Sequence, residues 1–175
     1  MAALALKQEL DRFLAKKYEE KILDTQFEQL QRIQEADNPG FVTDMLQLFI
    51  DEIEKQILEN IDPRKLEELK KIPRVSDLES QTIQKVESYI HRLKGSSVSV
   101  GSYQITLACN EFRQASEQND MAGRQKALTK IVHEFYRVKD VFKKIIELEE
   151  KICKLSSAPR QDETSMYFTS SFGNN

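Results

Sequence analysis

Before residue 155 the apolar residues of this 175-residue chain recur every three or four positions, and almost nothing interrupts them. An α-helix brings a side chain back to the same face every 3.6 residues, so each such stripe marks one buried helix face. Leu6, Leu10, Phe13 and Leu14 make the first stripe. Phe27, Leu30 and Ile33 make a second, with Asp24 as its N-cap. Val42, Leu46, Phe49, Ile53 and Ile57 follow, then Ile83, Val86, Ile90 and Leu93, then Ile105, Cys109, Phe112 and Ser116. The last stripe holds Leu128, Ile131, Phe135, Val138, Phe142 and Ile145, with Ile152 near its end. Five glycines and four prolines are too few to punctuate many short strands, and no segment shows strand alternation. The predicted fold is all-α: an antiparallel up-and-down four-helix bundle over about 39–153 with two additional N-terminal helices, in one domain spanning 1–155.

The boundaries follow from capping chemistry. In "ADNPGFV" Asn38 is placed as a cap and Pro39 at the first helical position. The 62–75 segment, bracketed by Pro63 and Pro73, is a charged connection of undecided form. Ser76 with Glu79 reads as a capping box. The helix it starts should end near Gly101, and the next should end by "QND" (118–120). The final stretch, 156–175, is rich in Ser and Thr without periodicity and is predicted to be a disordered tail.

A formal net charge of −3 gives no reason to expect nucleic acid or an acidic membrane as partner. Cys109 and Cys153 lie far apart without metal-ligand spacing and read as reduced thiols. No run approaches the ~18 apolar residues of a membrane span. The N-terminal apolar run is too short for a signal peptide, and Ala2 does not suit N-myristoylation, so a soluble intracellular protein is expected.

One stretch breaks the economy of the helices. "YIHRLKGSSVSVG" (89–101) sets a glycine four residues after a histidine, at a cost of about 1 kcal/mol against alanine in a helix. On a wheel of about 100° per residue, His91 lies about 120° from the direction of Ile83, Val86, Ile90 and Leu93. Gln84, Ser88 and Gly95 share its stripe, all small or polar. Gly95 thus leaves the imidazole standing clear, so that another protein's active site can close over it. Lys94 lies between that stripe and the core, able to reach a group attached to His91. Ser96, Ser97 and Ser99 follow as small hydroxyl residues. His133 lies on another helix near the inward stripe, and neither a metal cluster, a Ser–His–Asp pattern nor a phosphate loop is present. An exposed, cation-flanked, uncrowded imidazole suits the acceptance and onward passage of a phosphoryl group.

At these residues the chain resembles the plant-type histidine-containing phosphotransfer (HPt) proteins. "HRLKGSSVSVG" fits the family pattern H-x-L-K-G-S-S-x-S-x-G, and "CNEFRQ" (109–114), "LDTQFEQLQRIQEADNPGFV" and the terminal "LEEKI" are also family-like, from about residue 22 to 152. The resemblance implies a phosphocarrier without kinase activity. It would take a phosphoryl group from the receiver domain of a hybrid sensor histidine kinase and pass it to the aspartate of a response regulator, in cytokinin-type signalling. It implies His91 as phosphoacceptor, Lys94 in contact with the phosphoryl group, and docking through Gln84, Ser88, Arg92, Gly95, Ser96 and Ser99. No cofactor is implied, because the Mg²⁺ that assists transfer belongs to the receiver. A monomer in cytoplasm and nucleus is expected, with no nucleic-acid or membrane partner. Arg92 stands where the family commonly has glutamine, and "SYQIT" (102–106) replaces a segment that commonly carries basic residues. Both departures bear on partner choice and transfer rate. The competing reading is a helical adaptor that docks receivers without efficient transfer.

Overall fold

The computed structural model describes residues 1–34, 38–61 and 76–157, with side chains in the last segment from 81 to 156. Among the described residues six α-helices follow in order: α1 (Ala2–Glu19), α2 (Thr25–Ile33), α3 (Phe41–Gln56), α4 (Ser76–Ser99), α5 (Tyr103–Glu117) and α6 (Met121–Ser157). A π-helical turn, Ile57–Ile61, extends α3. The side chains of the capping box at Ser76 and Glu79 are not described, and residues 62–75 of the connection and the tail from 158 onward lie outside the described residues.

The 37-residue α6 is the spine. At 1.5 Å per residue it is about 55 Å long, enough to carry α1, α3 and α5 along its length. Its inward residues Leu128, Ile131, Phe135, Val138, Phe142, Ile145 and Ile152 are all buried, as their spacing requires. Four aromatic rings lock three helices together. Phe27 of α2 stacks on Phe142 at 6.3 Å, and Phe49 of α3 meets Phe142 edge-on at 5.7 Å and Phe135 at 6.3 Å. Such pairs add roughly 0.5–1.5 kcal/mol each beyond the area they bury. A short ion pair, Lys139 Nζ to Glu54 Oε2 at 2.6 Å, ties α6 to α3 at the edge of this cluster.

Three expectations need correction. Ile33 is exposed, because it is the last residue of a nine-residue helix whose packing rests on Phe27 and Leu30. Ile83 is only half-buried, whereas Val86, Ile90 and Leu93 are in the core. Asn38 is not the cap of α3. Gly40 takes that position without a side-chain bond, and the side chain of Gln34, eight residues away, accepts from Val42 N at 3.0 Å instead. Asp24 does cap α2, accepting from Gln26 N at 2.9 Å.

The α4–α5 turn positions the rest. Gly101 takes φ +72°, and its carbonyl accepts from Asp24 N at 3.0 Å, while Tyr103 N donates to Ile22 O at 3.3 Å. The side chain of Gln104 donates to Lys21 O at 3.0 Å. Part of the segment that lacks basic residues thus anchors this corner to the α1–α2 connection. At the next corner Asn119 is left-handed (φ +52°), and Asp120 caps α6 by accepting from Gly123 N at 2.9 Å. Buried Arg124 donates to Ser116 Oγ and Ser116 O at 3.2 and 3.3 Å. This holds α5 antiparallel to α6.

Candidate functional site

α4 turns its Val86–Ile90–Leu93 side into the bundle and leaves the opposite stripe in solvent. Gln84, Ser88, His91, Arg92, Gly95 and Ser99 are exposed, while Lys94 and Ser96 are half-buried. A β-carbon built on Gly95 would meet no atom within 4 Å, so the space one turn beyond the imidazole is open. Ser99 Oγ bonds back to Gly95 O at 3.0 Å, which satisfies the hydroxyl within the helix. The Arg92 guanidinium lies over the Tyr89 ring at 4.7 Å and is held beside the stripe rather than across it.

Lys94 leans toward α5. Burial pushes the Cys109 thiol up to about 12, and the charge of Lys94, which lines the space between the two helices, opposes that shift. A cleft of about 330 Å³ opens there. Its floor is apolar, made by Ile90, Cys109 and Phe112. Its rim is charged, with Glu87, His91 and Lys94 on α4 and Arg113 and Glu117 on α5. Arg113 Nε pairs with Glu117 Oε1 at 3.0 Å.

The α5 half of this cleft escaped the sequence reading, and so did Val98, an exposed valine two turns beyond His91 on its own stripe. The α5 residues had a signal. In an antiparallel pair, residues equidistant from the turn face each other, because both helices rise 1.5 Å per residue. Counting equally to either side of Gly101 sets Lys94 opposite Ala108 and His91 opposite Glu111, one residue short of Cys109 and Phe112, which line the cleft with Arg113. Ser97 is one of the three small hydroxyl residues that follow Gly95. It is fully buried, and its Oγ makes no hydrogen bond. His133, expected near the inward stripe, is 74% exposed and lies 3.6 Å from Glu134. Among the described residues no three His, Cys, Asp or Glu side chains group as metal ligands, and no helix is long and apolar enough to cross a membrane.

Comparison with known proteins gives this arrangement its class. Residues 44–148 match the Hpt domain family. The chain is 36% identical over 152 residues to histidine-containing phosphotransfer protein 1 of Oryza sativa subsp. japonica, covering 87% of this chain and 95% of the rice protein. It is 32% identical over 146 residues to pseudo histidine-containing phosphotransfer protein 6 of Arabidopsis thaliana, covering 83% and 88%. The crystal structure of a histidine-containing phosphotransfer protein from maize superposes with a TM-score of 0.66 at 32% identity, over 84% of this chain and 99% of that one. The chain belongs to the plant-type histidine-containing phosphotransfer family. Proteins of this family act in phosphorelays between histidine kinases and response regulators, as phosphocarriers rather than kinases.

Proposed function

We propose that His91 is the phosphoacceptor of a two-step relay. Its unprotonated imidazole nitrogen attacks the phosphorus of an aspartyl phosphate in the receiver domain of a hybrid histidine kinase. The N–P bond forms as the acyl P–O bond breaks, and the aspartate leaves as carboxylate. The reverse displacement, by the aspartate of a response regulator, empties the site. What carries this reading is the open stripe: an exposed imidazole, a glycine one turn on with free space above it, and a half-buried lysine that lines the same cleft. Lys94 stabilises the phosphoryl charge, and Gln84, Ser88, Arg92, Gly95, Ser96 and Ser99 form the receiver's footing. Val98 supplies an apolar contact on the same stripe, of the kind the core of an interface requires.

The relay we infer is the cytokinin-type one, running from membrane receptors to nuclear regulators, with the protein a monomer in cytoplasm and nucleus. Likeness to the plant carriers supports this. The test is transfer from a phosphorylated receiver. Acid-labile, base-stable phosphate should appear on the wild type and vanish in His91→Gln, whose fold should change by no more than ~0.5 kcal/mol because the position is exposed. Phosphate retained by the mutant sinks the assignment. Docking without transfer in the wild type would instead mark an adaptor.

A further inference from the structure

The cleft beside His91 contains a cation that the transfer chemistry described above does not use. Arg113 stands on α5, across the cleft from the α4 residues His91 and Lys94, and its guanidinium is paired with Glu117 one turn along the same helix. That pair is mostly exposed, at 72% and 62%. An exposed i,i+4 pair biases its partners only about twofold. A phosphoryl group on His91 brings nearly two negative charges and three acceptor oxygens. The planar guanidinium fork matches such oxygens two at a time. The larger charge therefore wins the competition for Arg113. Room is sufficient, since 330 Å³ is about the share of eleven liquid waters at ~30 Å³ each.

We propose that Arg113 is a second phosphoryl-positioning residue for His91, held by Glu117 in the resting protein and released to the phosphoryl group once it arrives. The inference rests on the phosphocarrier reading. Lys94 and Arg113 then grip the group from two different helices, one beside the acceptor and one across the cleft. Glu117 keeps that grip from becoming too strong for onward transfer. Glu87, one turn before His91 on α4, is the remaining charged group on the rim.

The test uses the full chain with His91 loaded chemically by phosphoramidate, which needs no receiver. It is done in a His133→Gln background, because His133 is exposed as well. The second ionisation of the phosphoryl group is followed by ³¹P NMR. A nearby cation favours the dianion and lowers that pKa. Arg113→Gln should weaken the phosphoryl group's acid dissociation by about threefold, Arg113→Lys should restore part of it, and Glu117→Gln should strengthen it by about twofold. The opposite signs separate a charge effect from a packing effect. The inference is overturned if Arg113→Gln leaves the titration where the wild type has it, or if both variants move it the same way. Failure of a receiver to load His91 would sink the carrier reading, and the ³¹P titration would still decide the role of Arg113.

Discussion

A β-carbon on Gly101 would stand 2.5 Å from the backbone nitrogen of Phe27 and 2.8 Å from that residue's own Cβ. Backbone cannot yield as a side-chain tip can, and φ +72° is left-handed. Gly101 therefore lets the end of α4 press against the start of α2. Gly101→Ala should cost about 2–4 kcal/mol, from strain and overpacking together. Urea unfolding measures it, and a loss under ~1 kcal/mol would mean that the corner can relax.

Gly95 predicts the reverse. Its surroundings are open, so Gly95→Ala should hold or raise stability, by up to about 1 kcal/mol. Gly95→Leu should also fold. Transfer from a receiver should fall steeply with side-chain size, because a displaced nucleophile loses orders of magnitude in rate. Unfolding of Gly95→Leu would show a packing role, and normal transfer would show that the receiver approaches elsewhere.

The two thiols should separate cleanly. Cys109 is buried with its thiol pushed up to about 12. At pH 8 very little of it is in the thiolate form that alkylation requires. Cys153 is only half-buried near the end of α6. Iodoacetamide should therefore label Cys153 in the folded protein and Cys109 only after unfolding, as read by peptide mass spectrometry. Rapid labelling of Cys109 would mean that α4 and α5 part readily.

Glu149 should make stability fall as pH rises. Burial raises its carboxyl above the ordinary 4.5, against the Gln34 hydrogen bond and the Lys7 charge. The folded state therefore holds the proton more tightly than the unfolded chain. Its contribution is complete below the unfolded value and is lost as pH climbs through the folded one. Glu149→Gln keeps an acceptor for Gln34 and removes the charge. The variant should match the wild type in acid and exceed it at neutral pH in thermal melts. A gain that is the same at every pH would point to packing instead.

The periodicity located the buried side of each long helix. Val42 to Ile57 and Leu128 to Ile152 fall where their spacing put them. The exceptions sit where local pattern competes with long-range contact. The α3 cap is supplied by Gln34 rather than Asn38, and Ile33 belongs to a helix too short to bury its end.

By itself the sequence determined that the chain is all-helical, which face of α4 turns outward, and that His91 stands there with glycine one turn beyond. Those are properties of a single helix, set by a 3.6-residue period and by the size of one side chain. Only the tertiary structure decided what faces His91 from the neighbouring helix. Arg113 and Glu117 reach the cleft because a left-handed glycine sets the α4–α5 corner and buried Arg124 fixes α5 against α6. A helical period shows which side of a helix is buried. What lies across from that side depends on where the corners set the neighbouring helix.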